Sequence, residues 1–120
     1  MDNTLITTHL GNLQKTFVEI KSIALFYVDG VAIVSTFPET APIDEIGAVA
    51  AAFHAISNRT GKLFEVGSIV NTKLQTEHGT IIFATINNEA VVAIHADSRI
   101  NTNLLQPELR RTVLAILNQL

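Results

Sequence analysis

The sequence predicts a three-layer α+β domain, with five mainly antiparallel strands between helices on both faces. Three observations lead there. Stretches near both ends carry apolar residues at helical spacing. Between them lie five short runs rich in β-branched and aromatic residues, broken by turn signals. A longer helical stretch, residues 43–62, separates the first two runs from the last three.

In the first helix, Ile6, Leu10, Leu13, Phe17 and Ile20 form a narrow apolar stripe, and Asp2, Asn3 or Thr4 is placed to cap its start. Gly11 inside it costs up to about 1 kcal/mol against alanine, so this helix depends on docking. Residues 23–28 and 31–37 read as strands. Asp29-Gly30 between them is the signal for a two-residue hairpin turn, in which both central positions need positive φ. Phe37-Pro38-Glu39-Thr40-Ala41-Pro42 cannot continue a strand and leads into the second helix. Asp44 and Glu45 occupy its first turn, where carboxylates suit the helix dipole. Its apolar phase runs on through Leu63 and Phe64, which favours Gly67 over Gly61 as the C-terminal stop.

Three more strands follow. Residues 69–76 are the most polar, with Asn71, Thr72, Lys73 and Gln75 interleaved, which suits an edge. Residues 80–86 and 90–95, joined through Asn87-Asn88, are strongly apolar and suit the middle of a sheet. In the last helix Asn103 and Gln106 have the spacing of a capping-box variant, with Pro107 in the first turn and Leu105, Leu109, Val113, Ile116 and Leu120 as the buried stripe.

Composition narrows the function. At 120 residues the chain fits one domain, residues 1–120, and that size buries roughly two-thirds of the unfolded surface. Hydrophobic residues make up 48% and charged residues 16%, so a packed core is expected and long disorder is not. A net charge of −3, with no basic stripe and few aromatics, argues against nucleic acid. With no cysteine there are neither disulfides nor thiolate metal sites. Met1-Asp2-Asn3-Thr4 lacks the start of a signal peptide, and no apolar run approaches the ~18 residues of a membrane span. A cytoplasmic location is the expectation.

The second helix has two apolar sides. Ile46, Val49, Ala50, Phe53, Ile56, Thr60 and Phe64 share a broad arc, read as the side lying on the sheet. Ala48, Ala51, Ala52 and Ala55 lie opposite, continued by Asp44, Arg59 and Lys62, and a close-packed neighbour is expected to cover them. Two copies crossing antiparallel about a two-fold bring Ala48 to Ala55, Ala51 to Ala52 and Asp44 to Arg59. Alanine allows helix axes to approach to about 8 Å. Ala51→Glu is accordingly expected to drive such a dimer toward monomer. The polar strand, through Ile69, Asn71 and Lys73, is expected to pair with its twin.

No motif for chemistry emerges. His9, His54, His78 and His95 are scattered over different elements, with none of the i, i+4 spacing of a helical metal site. Ser35 has neither a nucleophile-elbow sequence nor an evident base. The glycines are isolated, with no phosphate-cradling pattern. One arginine of Arg110-Arg111 is expected to pair with Glu108 or solvent, the alternative being that the pair reaches a partner's acidic surface. No catalytic residue, metal or cofactor is assigned.

Three segments resemble the roadblock family, the dynein light-chain superfamily that includes bacterial and archaeal GTPase regulators. They are Ala24-Leu25-Phe26-Tyr27-Val28-Asp29-Gly30-Val31-Ala32-Ile33-Val34-Ser35, the alanine-rich second helix, and Val91-Val92-Ala93-Ile94-His95-Ala96-Asp97 running on to Leu104-Leu105-Gln106-Pro107-Glu108-Leu109-Arg110-Arg111. The resemblance implies a roadblock/profilin-like α/β/α domain with strand order 2-1-5-4-3, helix two on one face and helices one and three on the other. It also implies a homodimer through helix two and the third strand. The expected function is a non-enzymatic module that binds and regulates a Ras-like small GTPase. The alternatives are a scaffold subunit of a larger assembly and, below that, a small-molecule sensor.

Overall fold

A computed structural model describes residues 3–120; Met1 and the cap candidate Asp2 lie outside the described residues. The elements, in order, are α1 (Asn3–Thr16), β1 (Ile20–Tyr27), β2 (Ala32–Ser35), α2 (Ile43–Leu63), β3 (Asn71–Gln75), β4 (Thr80–Ile86), β5 (Ala90–Ala96) and α3 (Thr102–Leu117). The five strands form one sheet in the order β2-β1-β5-β4-β3. Every neighbouring pair is antiparallel. Helices α1 and α3 cover one face and α2 the other.

The α1/α3 face follows from the stripes. Ile6, Leu10 and Leu13 of α1 and Leu105, Leu109 and Ile116 of α3 are buried against Ile23, Leu25, Ile82, Ile86, Val92 and Ile94. Val113 and Leu120 pack at its border. Ile20 does not extend the helix as its spacing implied. The last helical bond runs from the Phe17 N–H to the Leu13 carbonyl, and the Ile20 N–H then closes a turn onto Phe17. Ile20 opens β1 yet joins the same core, so the helical spacing continued through it without a helix.

Three other local expectations are corrected. The first hairpin has a three-residue loop: the Tyr27 N–H donates to the Val31 carbonyl (2.8 Å) and the Gly30 N–H to the Tyr27 carbonyl (2.9 Å). Of the Asp29-Gly30 pair, Gly30 alone takes positive φ (94°), as in a type I turn closed by a glycine bulge. The Asp29 carboxylate instead accepts the Val31 N–H at 3.1 Å.

Helix α2 stops at Leu63, short of Gly67. The Val66 N–H bonds the Gly61 carbonyl and the Glu65 N–H the Lys62 carbonyl, with Glu65 itself at φ 54°. That is a Schellman closure with glutamate in the left-handed position where glycine is usual.

Helix α3 begins earlier than its spacing implied. Asn101 is the cap, its side-chain oxygen accepting the N–H groups of Asn103 (3.0 Å) and Leu104 (3.2 Å). Asn103 and Gln106 therefore make no capping box, and Pro107 lies beyond the first turn. There its missing N–H leaves the carbonyl of exposed Asn103 without a helical donor.

Candidate interaction surface

What decides the character of α2 is the stripe of residues it lays on the sheet. Gly47, Ala50, His54, Ser57 and Gly61 are its buried positions. Small side chains let the helix backbone sit close. A Cβ on Gly47 would collide with the Gly30 carbonyl, and one on Gly61 with the Gly67 carbonyl. Ser57 Oγ lies 3.3 Å from Thr72 Oγ1 of β3, and His54 Nε2 lies 3.2 Å from Asn58 Nδ2.

The broad apolar arc read from the sequence as the sheet-facing side is thereby displaced. Ala50 is buried, but Ile46 and Phe53 are only half-buried, while Val49 is 48% and Ile56 60% exposed. These large residues line the flank of α2 that looks toward β3. Phe53 stacks on Phe83 of β4, with ring centroids 4.8 Å apart and planes at 15°. The helix packs mainly over β1, β4 and β5. Leu74 of β3 and Ile81 of β4 thus remain half-buried at the edge of the apolar cluster. The result is a shelf, with Ile46, Val49, Phe53 and Ile56 as its wall and Leu74, Ile81 and Phe83 as its floor. At the start of α2 the shelf deepens into a groove of about 420 Å³, lined by Phe37, Pro42, Ile46, Val49, Ile81 and Phe83. At the other end Leu63, Phe64 and Val66 are 68%, 71% and 73% exposed.

The residues assigned to an interface from sequence fall into three places. Asp44, Ala48, Ala52, Ala55 and Arg59 are exposed on the outer side of α2, adjoining Val49 and Ile56, whereas Ala51 is half-buried. Asn71 and Lys73 project to the opposite face of the sheet, where Asn71 Nδ2 donates to Gln106 Oε1 (2.8 Å) and Lys73 Nζ to Thr102 Oγ1 (3.4 Å). Half-buried Ile69 precedes β3, and its carbonyl accepts the Thr85 hydroxyl at 3.0 Å. Edge strand β3 therefore offers a neighbour its backbone rather than those side chains. Val49, Ile56, Leu63, Phe64, Leu74 and Ile81 are the surface residues that reading by apolar phase missed. The signal lay in the small residues at positions 47, 50, 57 and 61, which together with His54 repeat at helical spacing. Asp44 and Glu45 stand at one end of the helix and Arg59 and Lys62 at the other.

Among the described residues the buried Thr80 hydroxyl and His54 Nδ1 lack a hydrogen-bond partner, whereas two ion pairs elsewhere are locally closed. Asp97 accepts the Arg99 guanidinium through Nε and Nη2 and also the Arg99 backbone N–H, each at 2.9 Å. Those bonds hold its carboxyl at about 2, below the usual carboxylate range. Arg111 Nη1 pairs with Glu108 Oε1 at 3.1 Å, as expected from the sequence. Among the described residues no three His, Cys, Asp or Glu side chains are grouped to hold a metal ion. No helix among them is long and apolar enough to cross a membrane.

The family model of the Roadblock/LC7 domain matches residues 7–96. The chain belongs to that family. Its roadblock domain is also similar in sequence to two uncharacterised proteins of Methanocaldococcus jannaschii. Each is 25% identical over 83 residues, covering 69% of this chain and 72% of theirs. In fold it is similar to Myxococcus xanthus MglB, with TM-score 0.85 and 15% identity over 94% of this chain and 92% of that one. It is similar too to a Roadblock/LC7 domain from Streptomyces avermitilis, with TM-score 0.80 and 16% identity over 88% and 89% of the two chains. The strand order and the placing of the helices match what the roadblock resemblance implied.

Proposed function

We propose that this roadblock domain is a non-enzymatic, homodimeric interaction module that binds and regulates a Ras-like small GTPase. The observation that carries the self-association is the open apolar shelf between α2 and the free edge strand β3. A second copy, turned about a two-fold axis near the middle of α2, covers Val49 and Ile56 with its own. Ala48, Ala51, Ala52 and Ala55 pack beside this seam. The acidic start of each helix, at Asp44, lies over the basic end of the other, at Arg59. The backbone edges of β3, from Ile69 through Asn71 to Lys73, run alongside each other and extend the sheet.

The GTPase part of the reading is supported by family membership. Any effect on hydrolysis is exerted by ordering the GTPase's own switch segments. The test is co-purification with a small GTPase from the same genome in both nucleotide states, together with its hydrolysis rate. Binding that depends on the nucleotide supports the proposal. Equal failure to bind in both states, with hydrolysis unchanged, moves the reading to a scaffold subunit.

A further inference from the structure

We infer that Phe64, at the end of α2, plugs the apolar groove at the start of α2 in a second copy, so that two identical contacts lock the dimer. This rests on the antiparallel dimer proposed above. Three features of one chain are self-complementary.

The plug is held by backbone hydrogen bonds and is largely exposed. Phe64 is 71% exposed, yet it is the C-cap of α2 and its N–H bonds the Thr60 carbonyl at 3.0 Å. The closure through Glu65 and Val66 follows at once. Leu63 and Val66 stand exposed beside it. An apolar cluster of this kind on a surface marks an interaction site more often than a folding need.

The hole is mainly apolar and open. Its apolar walls include Pro42, Ile46, Val49 and Ile81, and Glu45 and His95 also line it. Its volume of about 420 Å³ accommodates a phenyl ring with an accompanying leucine or valine.

Plug and hole lie on the same side of the helix, at opposite ends. Phe64 and Ile46 are separated by about five full turns at 3.6 residues per turn, so they stand in line. The helix between them is about 27 Å long at 1.5 Å per residue. When two such helices cross antiparallel near their midpoints, the end of each is level with the start of the other. Phe64 of one copy then meets Pro42 and Ile46 of its partner, and the same contact recurs across the two-fold. That register also sets Lys62 near Asp44 and Glu45 of the partner.

Complementation between two variants tests the plug. Phe64→Ser removes it and Ile81→Glu charges the floor of the hole. Each homodimer then has both contacts damaged, whereas a heterodimer of the two variants keeps one intact Phe64 in one intact groove. The expected result is a dimer dissociation constant raised about a hundredfold in each variant alone. An equimolar mixture, with one chain labelled, should form heterodimers at least tenfold more tightly than either variant self-associates. Circular dichroism of Phe64→Ser should match wild type, since that side chain is outside the core. A mixture no tighter than its components overturns the plug, as does a Phe64→Ser dimer of unchanged strength. If wild type is itself monomeric, the dimer proposal fails first, so the two failures are told apart.

Discussion

The two faces of the sheet are built by opposite rules. On the α1/α3 face two helices drive large side chains into the strands, and Ile6, Leu10, Leu105 and Ile116 are fully buried. On the other face a single helix fully buries only glycine, alanine, serine and histidine, while its large apolar residues stand at the flank, Phe53 stacking there on Phe83. Two helices suffice to close a five-stranded sheet; one leaves the edge strand's apolar side open. The first face is a core finished within the chain. The second is half a core, with its remainder proposed to come from another molecule. Interdigitated large side chains lose stability when they are shortened, whereas a small-residue contact tolerates no enlargement at the point of closest approach but leaves its flank free to vary.

This contrast can be broken by mutation. Leu105→Ala should cost about 2–5 kcal/mol of folding stability, because a fully buried leucine leaves a cavity. Urea unfolding would show it, and a loss below 1 kcal/mol would mean that this face is not the packed core described. Gly47→Ala should cost about 1–3 kcal/mol by forcing α2 away from the Gly30 carbonyl. A neutral result would show that α2 rides higher on the sheet. Gly11→Ala should stabilise by up to about 1 kcal/mol, since a Cβ there meets nothing within 4 Å.

The smallest effect is expected from Asp97. Its carboxyl is held at about 2 against an ordinary 3.8. The stabilisation is present above the ordinary value and fades as pH falls toward 2. Acid titration of Asp97→Asn should therefore show a slightly flatter loss of stability across that window than wild type. An identical slope would mean that the Arg99 pair is not maintained in solution.

Much of the fold was legible in the sequence because every buried residue of α1 and α3 is large. Leu10, Leu13, Leu105 and Leu109 announce both the helix and its inner side. The α2 face reverses that logic. Apolar phase reports which side of a helix is apolar, not which side touches its own sheet. Val49 and Ile56 were therefore read as core, and the true contact residues, Gly47, Ser57 and Gly61, passed as neutral. The remaining misreadings are local competitions. Asn101 and Asn103 have the same capping chemistry, and only the backbone decides between them. Glu65 takes a left-handed conformation that glycine would have advertised. The outer alanines were legible as exposed, but the apolar residues beside them were not, since nothing in one chain says how far α2 reaches across the sheet.

The most direct test of the central claim is the molar mass in solution by light scattering, followed through dilution, for wild type and for Ile56→Glu. Ile56 is 60% exposed and outside the buried core, so its replacement should leave folding stability within about 0.5 kcal/mol. Wild type should elute at the mass of two chains and Ile56→Glu at the mass of one. A folded wild type that stays at one chain's mass at every concentration, or an Ile56→Glu variant that remains as dimeric as wild type, would contradict the account.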